Sequence, residues 1–423
     1  MKKGRTFVII GNGIAGITAA HTIRTLRAEA VITIISQEAH PAYSACVLPD
    51  YVAGGIERKR VFIRSFAHYR KDRIRFIAKQ KVQSLDTDRK EITSSSGRLS
   101  YDTLIVATGS RVALPLIAGL EKRGVFAFKS LDDAEKISRW PGRRAVVVGS
   151  GAVGVEVSIA LKRKGYSVCL LELTRSILPS TFDAVFADPI KDILERHGIA
   201  VFTGEKVLEI LGNANVRAVV TGRREIPCDT VIMASGMKPD VEIAEAKIAL
   251  GQQGGIRVDD AMRTSVSNIY ACGDCVEAED LVGGGSGLSM LWQNAWQQGE
   301  IAGSNAAGLR KTYPGWINAS SLDLFGVQAV SIGYRSNAVA GDLELIDREK
   351  SGRHQRLILQ DGVLVGVQSI NWSENNGALL SAIIRREKLT AESARNWDRP
   401  FRASASHLLW CGFKRSPFSG ALW

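Results

Sequence analysis

Phe7–Ile10 is a run of four apolar residues, and after a glycine-rich break a helical apolar periodicity follows it. Ala145–Val148 starts the same arrangement again, 138 residues further along. A short continuous apolar run reads as a strand buried on both faces, and apolar positions every three or four residues read as a helix with one buried stripe. Two more apolar runs, Val31–Ile35 and Ser167–Leu171, follow the two starts at similar spacing. The pattern predicts two β-α-β units of the kind that build parallel sheets. Near the C-terminus it changes: apolar and polar residues alternate on both sides of Asp361-Gly362, a two-residue hairpin signal. Helical periodicity resumes at Ala378–Ile384.

Each glycine-rich break is G-x-G-x-x-G: Gly11, Gly13 and Gly16 in the first copy, Gly149, Gly151 and Gly154 in the second. The first glycine allows the tight turn, the second lets backbone approach a pyrophosphate, and the third lets helix pack on strand. The helix N-terminus then offers N–H groups and positive dipole to phosphate. One such turn is a weak signal, because a tight strand–helix turn can form without a ligand. Two in the same context point to two dinucleotide sites.

Such a site also needs a carboxylate after the next strand, to accept from the ribose hydroxyls. In the second copy Glu172 directly follows Ser167–Leu171 and favours NADH over NADPH, with Arg175 close enough to soften the preference. In the first copy Glu38 is the nearest acid, after Ser36 and Gln37.

Composition narrows the class. Across 423 residues, 45% hydrophobic and 23% charged residues exclude a fibrous or wholly disordered chain. Six cysteines are too few for a disulfide scaffold, so a cytoplasmic setting is expected. No stretch approaches the ~20 apolar residues of a membrane helix, and no cluster has metal-ligand spacing. Cys272 and Cys275 are spaced like a redox or metal pair, but the residues between them belong to another motif.

These features resemble the pyridine nucleotide–disulfide oxidoreductase family, flavoproteins with two dinucleotide-binding folds. Tyr101–Gly109, ending in Ala107-Thr108-Gly109, is similar to the family's strand before the second fold. Cys228–Asp240, passing through Gly236, is similar to its counterpart after it, and Thr264–Asp274 to its second FAD motif. Trp292–Gly299 resembles the helix start beneath the flavin pyrimidine. The resemblance implies an α/β chain with two Rossmann-like domains plus a smaller α+β C-terminal domain. The boundaries it implies are 1–115 and 245–312 for FAD, 116–244 for NAD, and 313–423 for the C-terminal domain. It implies FAD contacts at Gly11, Gly13, Ile14, Ala15, Gly16, Glu38, Cys46, Val82, Ala107, Thr108, Gly109, Gly273, Asp274, Asn294 and Ala295. NAD contacts would be Gly149, Gly151, Ala152, Val153, Gly154, Glu172 and Gly236.

The family's disulfide reductases need two cysteines, with four residues between them. Here Cys46 is followed at position 51 by tyrosine, which excludes that chemistry. Ala42–Pro49 also resembles a single-cysteine branch that includes coenzyme A-disulfide reductases and NADH oxidases, with Asp50 as an extra residue. The same segment aligns with ferredoxin- and rubredoxin-reductase-like members that lack the thiol. Cys46 therefore has two readings, a redox thiol and a small apolar filler.

The net charge of +12 is local. Between Glu57 and Lys90, twelve Lys and Arg face four Asp and Glu, so this segment carries +8. It follows the Cys46 segment directly and is expected beside the flavin face. A solvated surface is one reading; a docking face for an acidic iron–sulfur protein is the other. Little aromatic interleaving and no recognisable motif argue against nucleic acid. The tail adds Trp397, Phe401, Trp410, Phe413, Phe418 and Trp423, suited to an interface or to packing on the chain itself. The expectation is an NAD-reactive flavin module exchanging electrons with an iron–sulfur partner, within a complex such as a 2-oxoacid or tungsten aldehyde oxidoreductase. The alternative is a thiol enzyme using Cys46, working as a homodimer.

Overall fold

The computed structural model describes residues 4–339, 341–372, 374–395 and Trp397. Two compact units emerge. The first comprises Met1–Ser44, Lys59–Arg111 and Met237–Ile317; the second comprises Ala45–Arg58, Val112–Gly236 and Asn318–Trp423.

In the first unit the apolar runs become a parallel sheet of β1 (Thr6–Ile10), β2 (Val31–Ile35), β3 (Ile74–Ile77), β4 (Thr103–Val106) and a fifth strand, Ile269–Ala271. The order is Ile269–Ala271, β4, β1, β2, β3. Phe7 to Ile10 are all buried, as a central strand covered on both faces requires. Helix α1 (Ile14–Leu26) leaves β1 and packs on the helix Trp292–Ala306. That contact needs glycine. A Cβ on Gly299 would strike Ala15 O, and one on Gly303 would lie 2.7 Å from Ala19 O. Helix α2 (Phe66–Lys71) packs on the edge strand β3.

The second unit repeats the parallel plan with β5 (Val125–Ala127), β6 (Arg144–Val148), β7 (Ser167–Leu171), β8 (Ile199–Phe202) and β9 (Thr230–Met233). Its order is β8, β7, β6, β9, β5. Helices α3 (Leu131–Arg139), α4 (Ala152–Arg163) and α5 (Ala184–Arg196) belong to it. The short helix Leu48–Ala53 packs against α3 and α4, and Arg58 pairs with Glu135 at 2.6 Å. The segment bearing Cys46 therefore belongs to this unit, although its sequence neighbours on both sides belong to the other.

The same unit holds an antiparallel sheet of β10 (Ala319–Leu324), β11 (Val327–Gly333), β12 (Leu343–Lys350), β13 (Arg353–Gln360) and β14 (Val363–Ile370), ordered β10, β11, β14, β13, β12. The expected hairpin joins β13 to β14, with Asp361 at φ +52° and Gly362 at φ +73°, the two left-handed positions of a type I′ turn. The expected helix spans Asn376–Ile384. Polar contacts pin this sheet to the start of α5. Asp183 N–H donates to Gln368 Oε1 at 3.0 Å, and Arg356 lies 3.7 Å from Asp183 and 2.7 Å from Asp347. Trp397 is buried. The other tail aromatics and Cys411 lie outside the described residues. No helix among the described residues is long and apolar enough to cross a membrane.

Gly299→Ala puts a methyl against the backbone of Ala15, where no side-chain rotation relieves it. It is expected to cost about 1–3 kcal/mol, as overpacking does. The check is the denaturation midpoint; a midpoint equal to wild type would refute the close-packing argument.

Candidate functional site

The two glycine turns are built alike. Gly11 sits at φ +110° and donates to Ile35 O at 2.9 Å; Gly149 sits at φ +103° and donates to Leu171 O at 2.8 Å. A Cβ on either would strike the carbonyl of the next strand's exit, Ala107 O or Ala234 O. Likewise a Cβ on Gly16 would meet Gly11 O, and one on Gly154 would meet Gly149 O. These four glycines are required by the chain itself.

Gly13 and Gly151 are not. Each is a helix N-cap with ordinary extended dihedrals, φ −70° and −62°, and a Cβ on either would meet nothing within 4 Å. Sterics within the chain leave these positions open to alanine, so the empty space is suited to a ligand. The first i→i−4 bonds are Ile17 N–H to Gly13 O and Val155 N–H to Gly151 O, each 3.0 Å. The N–H groups of Ile14, Ala15 and Gly16, and of Ala152, Val153 and Gly154, precede them. Neither first turn contains an acid. Each turn is a bare, positively polarised helix end beside an open space, which fits a pyrophosphate.

The carboxylates differ. Glu38 is half-buried and accepts from Tyr43 Oη at 2.7 Å. Glu172 is 7% exposed and accepts four bonds: Ser150 N–H at 2.9 Å and Oγ at 2.7 Å on Oε2, Thr174 N–H at 2.8 Å and Oγ1 at 2.9 Å on Oε1. Burial pushes its carboxyl up, but the bonds from Thr174 and Ser150 outweigh this and hold it below the usual value. Beside it Val153 and Leu173 are exposed large apolar residues, 39% and 65%. That fits a site a nucleotide would cover.

Around the first turn, Thr108 Oγ1 donates to Asp240 O at 2.5 Å, and Asp240 N–H to Gly109 O at 2.9 Å. Ser110 Oγ donates to Asp274 Oδ2 at 2.6 Å, and Gly273 N–H to Gln298 Oε1 at 2.8 Å. A Cβ on Gly273 would lie 2.9 Å from the Ala15 Cβ, so this glycine lets the Asp274 loop close on α1. Val82 and Ala107 are buried, and Gly109 and Gly236 take matching left-handed conformations, φ +76° and +103°. The Asn294 amide is engaged by the fold itself, donating to Ser289 Oγ at 2.6 Å and Ile317 O at 3.0 Å. Ala295 N–H already bonds Leu291 O at 3.0 Å. Asn294 and Ala295 can therefore contribute backbone N–H and packing respectively. Trp292 Nε1, on the first turn of this helix, is buried with no partner, an orphaned donor consistent with a bound group.

Several site residues were not foreseen. Asn12, inside the first fingerprint, donates to His40 O at 3.1 Å and accepts from Tyr69 Oη at 2.8 Å, tying the turn to the Glu38 loop. Tyr43, Ser110, Ser150 and Thr174 each bond a carboxylate. Their only sequence signal is a hydroxyl within or near a recognised motif.

Among the cysteines, Cys272 and Cys275 are fully buried, and Cys275 Sγ lies 3.6 Å from Val106 O and 3.4 Å from Cys272 O. Burial pushes both thiols up, and pushes those of Cys169 and Cys228 to about 12. Cys46 is exposed, on the turn Ala45–Val47.

The basic residues between Glu57 and Lys90 differ in their partners. Arg58 belongs to the second unit. Lys81 pairs with Glu242 at 2.7 Å, and Arg73 reaches Ala28 O at 2.7 Å and Glu29 at 3.7 Å. Arg70, Lys71 and Arg75 are exposed on α2 and β3, beside β2.

The profile described as pyridine nucleotide-disulphide oxidoreductase matches residues 5–299. The chain is 30% identical over 419 residues to the NADH oxidase of Methanocaldococcus jannaschii, covering 92% of this chain and 93% of that one. It is 29% identical over 391 residues to subunit epsilon of the NADH-dependent phenylglyoxylate dehydrogenase of Aromatoleum evansii, covering 91% and 92%. The solved structure of an NAD-dependent persulfide reductase from A. fulgidus is similar at TM-score 0.87 and 30% identity, covering 94% of this chain and 80% of that one.

Because nothing in the chain requires glycine at 13 and 151, Gly13→Ala and Gly151→Ala are expected to keep the far-ultraviolet dichroism of wild type. Gly13→Ala should retain less FAD after gel filtration, whereas Gly151→Ala should keep FAD and bind NAD+ at least about tenfold more weakly, the cost of a methyl forced against a phosphate. Unchanged binding in both would exclude the two turns as the sites.

Proposed function

The chain belongs to the pyridine nucleotide-disulphide oxidoreductase family, and we propose that it is the NAD-reactive flavin component of an electron-transfer system with an iron–sulfur partner. It is an FAD-containing, NAD(H)-dependent oxidoreductase. The observation that carries the proposal is a pair of open dinucleotide turns in a chain with no second cysteine at position 51 to pair with Cys46. FAD, when bound, supplies the conversion between two-electron exchange with a nicotinamide and one-electron exchange with a metal centre.

The chain's own groups bind, orient and tune. The N–H groups of Ile14, Ala15 and Gly16 would hold the FAD pyrophosphate, Glu38 its adenosine ribose and Asp274, steadied by Ser110, its ribityl chain. The first turn of Trp292–Ala306 would direct positive dipole at the flavin pyrimidine. The N–H groups of Ala152, Val153 and Gly154, with Glu172, would hold NAD(H). Likeness to a subunit of phenylglyoxylate dehydrogenase supports a place in a larger complex. The exposed Arg70, Lys71 and Arg75 support an acidic partner. Arg73 is left out of that face because its guanidinium serves the fold.

The second reading, a thiol enzyme, is favoured by the exposure of Cys46 and by likeness to an NADH oxidase and a persulfide reductase. In it the Cys46 thiolate would attack one sulfur of a disulfide or persulfide substrate, release the other as thiolate or sulfide, and be left in a mixed disulfide or persulfide.

Purification from the native source tests the proposal. The chain is expected to travel with iron-containing proteins, and one that runs alone without ferredoxin-dependent turnover sinks the idea. Cys46→Ser separates the readings: full NADH-dependent ferredoxin reduction supports the electron-transfer role, and its loss supports the thiol role. Replacing Arg70, Lys71 and Arg75 by serine should slow ferredoxin reduction about tenfold at low salt and leave NADH-to-dye turnover within about twofold, as loss of steering does. Equal loss in both assays would mean that the charges serve folding or flavin binding.

A further inference from the structure

Glu172 poses a problem for the role given to it. Both its oxygens are saturated by the protein, two donors on each. A ribose hydroxyl that donates to Glu172 is a fifth donor, so one existing bond must give way.

The four donors are not equivalent. Ser150 is fully buried, and its hydroxyl and N–H both bond Oε2. Its own carbonyl accepts from Leu178 N–H at 3.0 Å, so the residue is fixed from both sides. Thr174 is exposed. Its hydroxyl lies 2.9 Å from Glu172 Oε1 and 2.8 Å from Ser176 O. A hydroxyl has one proton and cannot donate fully to both. Turning that proton to Ser176 O releases one acceptor position on Oε1 without leaving the hydroxyl unsatisfied.

We propose that Ser150 and Thr174 are the positioning residues for nucleotide selection. Ser150 holds one oxygen of Glu172 fixed from the buried side, and Thr174 lends its hydroxyl to the other oxygen until the ribose diol replaces it. The inference rests on Glu172 being the ribose acceptor of the proposed function. It goes further by assigning the selectivity to the donors that keep the carboxylate charged and aimed. A 2′-phosphate would meet a carboxylate that cannot turn away, because three of its four donors stay in place.

Few other charges act on Glu172. Glu205, whose N–H donates to Glu172 O at 2.9 Å, is paired with Arg224 at 2.8 Å. The first turn of α4 carries no acid, Arg175 on the loop is exposed, and the Cys169 thiol in β7 stays neutral with its value pushed to about 12. The hydrogen bonds therefore hold the Glu172 carboxyl down against burial. Removing a fixed donor lets it rise, so nucleotide affinity is lost as pH falls and regained as pH rises.

The test is calorimetric titration of oxidised, FAD-loaded protein with NAD+ and NADP+ across about pH 5.5 to 8.5, a range above the ordinary carboxylate value. FAD content and thermal midpoint serve as controls on folding. Ser150→Ala should bind NAD+ about fivefold more weakly than wild type at the acid end and approach it at the alkaline end, with a narrowed NAD+/NADP+ preference at the acid end. Thr174→Val should act oppositely and bind NAD+ about two- to fourfold more tightly at the alkaline end, because the competing hydroxyl is gone. If Ser150→Ala loses FAD, Ser150→Cys, a weaker donor, replaces it. A wild-type pH profile and preference in the Ser150 variant, or weaker NAD+ binding in Thr174→Val, overturns the inference. Glu172→Gln distinguishes that failure from a deeper one: unchanged NAD+ affinity there removes the ribose role itself.

Discussion

The absence of a Cβ at Gly11 and at Gly149 governs both parallel units. Each residue turns left-handed where its strand ends, and its N–H caps the carbonyl closing the neighbouring strand. Any side chain would collide with the backbone leaving the strand on the other side. With the turn made, the helix starts within two residues, and Gly16 or Gly154 lets it lie directly on the turn. The open N–H groups follow as a consequence, since the first three of any helix have no internal partner. Fold and open N–H groups share one steric cause, and Gly13 and Gly151 can be told apart from their neighbours by the space around them. They alone in each fingerprint have nothing to avoid.

The start of α3 differs from those of α1 and α4. α3 begins with Ser130 accepting from Asp133 N–H at 3.2 Å, and it carries Asp132 and Asp133 in its first turn. That end is complete without a ligand. α1, α4 and Trp292–Ala306 have no side-chain cap and no first-turn acid. An acid there would stabilise each helix by about 0.3–1 kcal/mol. A start without an acid leaves the helix dipole open to negative charge from outside the chain, and at Trp292–Ala306 the buried Trp292 Nε1, without a partner among the described residues, is a further unmet donor.

The apolar runs were enough to place both parallel sheets, because a strand buried on two faces leaves a continuous signal. Asp361-Gly362 was enough for its hairpin, because few residues tolerate two left-handed positions in succession. Other features were hidden for physical reasons. The segment with Cys46 packs on α3 and α4, a long-range contact that no local pattern encodes. The basic segment read as a run of like charge, yet Arg58 pairs with Glu135 and Arg73 is drawn into backbone contacts. Asn294 matched a cofactor motif, but its amide is held by Ser289 and Ile317, so a motif position need not be a side-chain ligand.

The two carboxylates that the proposed function gives to ribose differ in burial and surroundings. Glu38 is half-buried and has a phenol, Tyr43, on one oxygen. Glu172 is almost fully buried and carries four donors. A nucleotide that leaves in every cycle exposes its carboxylate to an empty site each time. There a buried, unsatisfied carboxylate would take up a proton and lose the charge that selects the next molecule. Four protein donors prevent this, at the expense of a bond that must be released on binding. The alternative acceptor for Thr174 at Ser176 O lowers that expense, because no hydroxyl is left without a partner when the ribose arrives. On the proposed function, the burial of Glu172 and its four donors suit a dinucleotide that leaves and returns in every cycle.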